Sequence, residues 1–336
     1  MNITKLIGAG LLTSLLAGPL LAQDLTPVTF VQPNPSSISS FPVFVAIGEG
    51  FFAEEGLDVT VETVDGSGAA VQVVAAGQAQ FARPGPGLVL NARARGEDVV
   101  NIYNFAARSN FGVVVPEDSP IQSPADLTDA VIGVATADGS EVGFVRNVMQ
   151  GSGLTEGVDY EFLSVGDGGP ASAAFSRGDI SAYAASLADA AILNLRGVNV
   201  RDITPPEYQK FFGNGLITTG ELIENDPELV EKFIRGWTRA HAFANDEANR
   251  EVVLAHLAEA NRQESEDPAF ANALWDAIRE NSMPLEGSEG LGWQPPDVWA
   301  EWQDVLVETG ALEAPLDDLS AAYNNDFVMI ANEALQ

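Results

Sequence analysis

Between residues 41 and 62 the chain reads FPVFVAIGEGFFAEEGLDVTVE, and this block restricts the fold more than any other stretch. Its first half has helical spacing. Phe44, Ile47 and Phe51 recur every three or four residues and predict one apolar face for a sheet to receive. Pro42 suits the first helical turn, where its missing N–H costs nothing, and the serines before it supply capping oxygens. Gly56 is a left-handed stop. Beyond it, Leu57, Val59 and Val61 alternate with Asp58, Thr60 and Glu62, the period-two pattern of a half-buried strand. The block therefore predicts one helix over 42–54 followed at once by a strand. Gly48 and Gly50 cost about 1 kcal/mol each inside a helix, which implies close packing there.

The rest of the first half repeats that alternation. Strand patterns fall at 28–31, 57–62, 79–82, 99–105 and 111–115, with helical patterns at 42–54, 68–76 and 87–95, an α/β arrangement. A second unit opens near Ser123 with SPADLTDAVIGVATADGSEVGFVRNVMQGSGL. After it come a strand at 160–165, a helix at 170–176, RGDISAYAAS, a helix at 189–195 and a strand at 198–203. From about Leu222 the chain is mostly helical; Pro227 marks a helix start and Val230, Phe233, Ile234 and Trp237 an apolar face.

The 41–62 block and the segment from Ser123 together resemble the periplasmic solute-binding proteins of the nitrate, sulfonate, taurine and thiamine-precursor group. The resemblance implies a type II two-lobed periplasmic binding protein, each lobe a mixed sheet flanked by helices, with a helical C-terminal region. It places lobe 1 at 24–110, lobe 2 at 111–205, and a return crossover with C-terminal helices packed mostly on lobe 1 at 206–336. It further implies capture of a small organic, anionic solute (sulfonate, carboxylate or pyrimidine-like) by lobe closure, and delivery to an inner-membrane ABC permease with its ATPase subunits. No cofactor is implied, and the expected state is a monomer.

The N-terminus agrees with export. Lys5 precedes an apolar run at 6–21, and Ala22 stands where a signal peptide of residues 1–22 would be cut, which predicts a periplasmic location. The run is too short and glycine-broken for a membrane span. There is no cysteine, so neither a disulfide framework nor a lipid-anchoring cysteine is available. The formal net charge of −32 excludes nucleic acid, which needs clustered positive charge.

Enzyme signatures fail. His241 and His256 lack ligand-spaced partners, which argues against a metal site. There is neither a phosphate-binding P-loop nor a nucleophile elbow. Two enzymes that share the fold, a thiamine-pyrimidine synthase and a sulfinate-releasing enzyme, depend on cysteine. A cysteine-free enzyme on the same fold and a ligand-sensing subunit stand as alternatives to the transport receptor.

Candidate contacts lie where strands end and helices begin. After the first strand, Asn34, Ser36 and Ser37 offer donors and Phe41 a stacking face. Each of these also suits helix capping or turn formation. Arg83, before the rigid PGPG turn, is the leading anion contact, because a guanidinium gives a two-pronged donor. Arg108 follows the strand at 99–105. In the second unit Ser140 and Glu141 open a helix, Gly168 precedes another, and Ser186 ends a strand. Glu141 is placed either to receive a ligand amino group or to complement the helix dipole. The five tryptophans, all in the C-terminal region, are expected to anchor helix packing.

Overall fold

The computed structural model describes residues 25–335, so the predicted signal segment lies outside it. The chain opens with β1 (Thr26–Gln32), α1 (Phe41–Gly48), α2 (Phe51–Glu54), β2 (Leu57–Thr63) and α3 (Gly66–Ala75). It continues through β3 (Phe81–Ala82), α4 (Pro86–Ala94), β4 (Val99–Tyr103), β5 (Phe111–Pro116), β6 (Ala130–Val134) and α5 (Ser140–Gly151). Next are β7 (Tyr160–Ser164), α6 (Gly168–Arg177), β8 (Ala182–Ser186), α7 (Leu187–Leu195), β9 (Val200–Asp202) and β10 (Leu216–Thr219). Six helices follow: α8 (Gly220–Asn225), α9 (Pro227–Asn245), α10 (Arg250–Ala260), α11 (Pro268–Ser282), α12 (Pro296–Glu308) and α13 (Asp326–Glu333).

These strands form two five-stranded mixed sheets, ordered β2-β1-β3-β10-β4 and β7-β6-β8-β5-β9. Each is parallel at one end, where β1 pairs with β2 from Thr26↔Leu57 to Gln32↔Thr63, and β6 pairs with β7 from Ala130↔Tyr160 to Val134↔Ser164. Each also takes one antiparallel strand inside it. β10 lies between β3 and β4, and β5 lies between β8 and β9. The two inserted strands adjoin the segments that cross between sheets, so the chain passes from the first lobe to the second and back. The expected two-lobed periplasmic binding protein fold is the one observed.

The opening block differs from its predicted form in two ways. Its helix breaks in two, because Gly50 takes a left-handed φ of 78° between α1 and α2. A Cβ on Gly50 would meet nothing, so this glycine serves the break and not close packing. The apolar face is also rotated. Ile47 is 44% exposed, while Phe41, Val45 and Ala46 are buried, because α1 lies against α9 and α10. Gly48 does meet a close neighbour. A Cβ there would lie 2.2 Å from Nδ1 of His256, whose Nε2 is 2.7 Å from Glu49 Oε1.

Helix α9 follows its sequence pattern: Asp226 accepts from the Leu229 N–H, Pro227 sits in the first turn, and Val230, Phe233, Ile234 and Trp237 are buried. Trp275, Trp299 and Trp302 are also buried on helices, whereas Trp293 is half-buried in a loop. His241 is a core residue. It accepts from or donates to the Tyr103 hydroxyl at 2.8 Å and Ser282 Oγ at 3.0 Å. Helix α12 packs on both α4 and α5, so one hydrophobic core runs from the first sheet into the second on the side away from the cleft.

Candidate functional site

Both sheets direct the carboxyl ends of their parallel strands, and the helix N-termini that follow, toward a common cleft. The cavity there measures about 960 Å³, near the top of the ~300–1,000 Å³ range usual for small-molecule sites. The first lobe contributes the turn after β1, residues 63–67 after β2, Arg83 after β3 and Phe105 after β4. The second contributes Thr136 and Glu141 around the start of α5, residues 167–170 at the start of α6, and Ser186 with Asp189 at the start of α7. Asn214, just before β10, and residues of the α10–α11 connection complete the wall. Phe105, Phe111, Phe270 and Ile278 give it apolar faces.

Arg83 is the most informative side chain. It is only 3% exposed, its Nε donates to Ser40 Oγ at 3.1 Å, and its guanidinium lies 5.5 Å from the Phe105 ring centre. Burial lowers its pKa to about 10, so it stays protonated at neutral pH. Among the described residues it has no ion-pair partner. A buried cation with one neutral acceptor has most of its donor capacity unspent.

On the second lobe's wall, Glu141 is 8% exposed, and burial pushes its carboxyl up to about 7. Its Oε1 has no hydrogen-bond partner, and neither do Thr136 Oγ1 and Asn214 Oδ1. Asn214 Nδ2 donates to the Arg83 carbonyl at 3.2 Å, which ties that amide to the arginine. Burial likewise raises Asp189 to about 6. In all, seven carboxylates line the cavity (Asp65, Glu141, Asp167, Asp189, Glu264, Glu266, Asp267) against two arginines, Arg83 and Arg196.

Of the residues singled out in the sequence, Asn34, Ser36, Arg83, Glu141, Gly168 and Ser186 line this cavity. Ser186 Oγ is committed to a capping box with Asp189 that starts α7. The other four lie elsewhere. Ser37 is buried, and its one hydroxyl proton is shared between two acceptors in reach, Glu264 Oε2 at 2.9 Å and the Leu257 carbonyl at 3.0 Å. Phe41 is fully buried and packs edge-on against Trp275 and Phe105, so it supports the cleft floor instead of stacking on a ligand. Arg108 donates to the carbonyls of Glu280 and Met283, because the last carbonyls of α11 have acceptor capacity that the helix does not use. Ser140 Oγ accepts from the Gly85 N–H at 3.0 Å and lies at a contact between the lobes.

The sequence reading missed Thr136, Asp189, Asn214 and Glu264. Asp189 had a signal, the S-x-x-D spacing from Ser186. Asn214 and Glu264 lie in irregular segments and reach the cleft only through long-range folding.

Comparison with known proteins agrees with this architecture. The riboflavin-binding protein RibY of Chloroflexus aurantiacus is 25% identical over 320 residues, covering 92% of this chain and 88% of RibY. A formylaminopyrimidine-binding protein of Halalkalibacterium halodurans is 24% identical, covering 82% of this chain and 84% of that protein. The periplasmic aliphatic sulphonate-binding protein SsuA of Escherichia coli superimposes with a TM-score of 0.67 at 15% identity, covering 89% of this chain and 91% of SsuA. Both of these sequence relatives are named as binding proteins. Matched over residues 37–250 by the family model described as NMT1/THI5 like, the chain belongs to that family as a solute-binding protein.

Proposed function

We propose that the protein is the periplasmic receptor of an ABC importer. In this reading it captures an organic solute between lobes that divide near residues 110 and 205, and the closed form is recognised by an inner-membrane permease with its ATPase subunits. The site performs no chemistry on the solute. One observation carries the ligand class: the lobes bring buried polar groups of opposite kind to one cleft. Arg83 offers donors, and Asn214 Oδ1 and Glu141 Oε1, both without a hydrogen-bond partner, are acceptors on residues that line the same cavity. A solute with a carbonyl or anionic oxygen next to an N–H group satisfies all three. An oxyanion without N–H groups would leave both acceptors unpaired, which is costly in a buried site. The half-buried rings of Phe111 and Phe270 suit a flat ring system. The names of the two sequence relatives, a riboflavin-binding and a formylaminopyrimidine-binding protein, support a nitrogen heterocycle.

A thermal-shift screen of such heterocycles, with sulfonates and carboxylates beside them, tests the reading. At a hundredfold excess over Kd, one-site binding stabilises by about 2.7 kcal/mol, a rise of several degrees at roughly 2–4 °C per kcal/mol. The absence of any stabilising solute would sink the receptor reading. For the solute retrieved, Arg83→Ala is expected to weaken binding roughly ten- to a hundredfold, at 1.4 kcal/mol per decade. Arg95→Ala, on an exposed side chain paired with Glu97, should change little. Unaltered affinity in Arg83→Ala would remove that residue from the site.

A further inference from the structure

The turn after β1 carries three donors directed at one point, and a carboxylate from a distant segment already occupies it. Ser36 Oγ donates to Glu264 Oε1 at 2.5 Å, Ser37 Oγ to Oε2 at 2.9 Å, and the Ile38 N–H to Oε2 at 3.1 Å. Glu264 belongs to the α10–α11 connection, more than 220 residues away in sequence. The clasp is held on its other side too. Asn261 Nδ2 donates to the Pro35 carbonyl at 3.0 Å, and Asn261 Oδ1 accepts from the Glu264 N–H at 3.2 Å. Among the described residues no cation pairs with Glu264, so neutral donors alone hold its charge. Glu266 and Asp267 line the same wall.

We infer that Glu264 is a specificity-determining residue. It fills a point on the cleft wall where neutral donors converge on an oxyanion, and its charge repels any anion that approaches. Hydroxyl and backbone N–H donors grouped in this way suit a carboxylate, sulfonate or sulfate equally well, because each presents oxygens with several lone pairs. With Glu264 in place, small oxyanions are excluded from this part of the cleft and the ligand's oxygen is left to Arg83, whose Nε donates to Ser40 Oγ. The inference rests on the cleft being the solute site and adds which ligands that site refuses.

Methanesulfonate is the probe, with formate as a planar counterpart. Glu264→Ala frees the Ser36 hydroxyl and the Ile38 N–H, with the Ser37 hydroxyl able to turn to them from the Leu257 carbonyl, and should bind methanesulfonate at least about tenfold more tightly than the wild type. Glu264→Gln keeps the volume and drops the charge, so its affinity should fall between the two. Adding Ser36→Ala to the Glu264→Ala protein should abolish the gain, which a purely structural role for Glu264 would not produce. Formate should raise the unfolding midpoint of Glu264→Ala more than that of the wild type, by refilling the emptied cradle. Equal methanesulfonate affinity in the wild-type, Ala and Gln proteins overturns the inference. If the Ala variant does not fold, the Gln variant decides alone: affinity no higher than the wild type's is the overturning result. The experiment needs no natural solute. Its failure therefore leaves the receptor reading standing, and an empty solute screen leaves this test intact.

Discussion

Burying Glu141 in the first turn of α5 places its carboxyl near a pKa of 7, against 4.5 for the exposed group. Between those values the folded chain holds a proton that the unfolded chain releases. This group's contribution to stability therefore falls as pH rises from about 4.5 to 7, and stays low above. Asp189, raised to about 6 from 3.8 by burial, acts in the same direction. Buried His241, lowered to about 3 from 6.5, acts in the opposite one, losing stability as pH falls through that window. Comparison with a variant isolates Glu141. Glu141→Gln in the ligand-free protein should be more stable than wild type at pH 8, by on the order of 1–3 kcal/mol, and about equal to it near pH 4.5. Thermal midpoints at the two pH values check this. The ionised carboxylate accepts an N–H from the solute more strongly than the protonated group does. Wild-type affinity should therefore weaken as pH drops through 7, whereas Glu141→Gln binds weakly with a flat profile. Parallel profiles in the two proteins would take Glu141 out of the contact set.

At the level of elements, helices α3 and α4 begin without caps of their own. Asp65 makes no side-chain cap bond, and Gly85 has no side chain to offer. The second lobe supplies what they lack. Ser140 Oγ accepts from the Gly85 N–H, and Asp138 lies against Gly68 at the start of α3, where the dipole favours a carboxylate. These glycines allow the approach. A Cβ on Gly85 would lie 2.6 Å from the Ser140 Cβ, an atom fixed to the start of α5. The backbone at Gly85, φ −80° and ψ 155°, suits alanine, so the strain of Gly85→Ala falls on the contact between lobes. Gly85 does not line the main cavity. Gly85→Ala is thus expected to weaken solute binding about tenfold, or 1.4 kcal/mol, with the ligand-free unfolding midpoint nearly unchanged. Wild-type affinity by calorimetry would show that the seam is not part of the liganded arrangement.

Across the whole molecule, the lobes are joined unequally. On one side α12 sets Trp299, Trp302 and Leu306 into a core shared with Phe144, Val145 and Val148 of α5. On the other lies the cleft, where charged and polar side chains are interspersed with apolar ones. Opening therefore pivots about the apolar side, since separating that core would expose buried hydrocarbon at about 25 cal/mol per Å². A solute that bridges Arg83 and Glu141 adds contacts only in the closed arrangement and shifts the population toward it. Saturating solute should reduce the radius of gyration measured by X-ray scattering. An unchanged radius would argue for a site on one lobe. The net charge of −32 does not prevent capture of a solute with an anionic oxygen. At about 0.15 M salt, exposed charges are screened beyond roughly 8 Å, so in the proposed site Arg83 would act on the ligand at short range.

Local pattern was sufficient for the alternation of strands and helices, the stop at Gly56, the start of α9 at Pro227 and the buried stripe through Trp237. Each depends on spacing, caps and turn residues within about ten positions of itself. Arg83 was legible for the same reason, standing at the end of a strand and before a rigid turn. Tertiary structure decided what local pattern leaves open. Helix α1 buries Val45 and leaves Ile47 outside because α9 and α10 arrive from more than 180 residues away to cover it. Ser36 and Ser37 are spent on Glu264, and Arg108 on the end of α11, for the same physical reason. A hydrogen-bonding group is satisfied by whichever partner the fold brings to it, and sequence spacing carries no record of partners that meet only across the closed topology of two sheets.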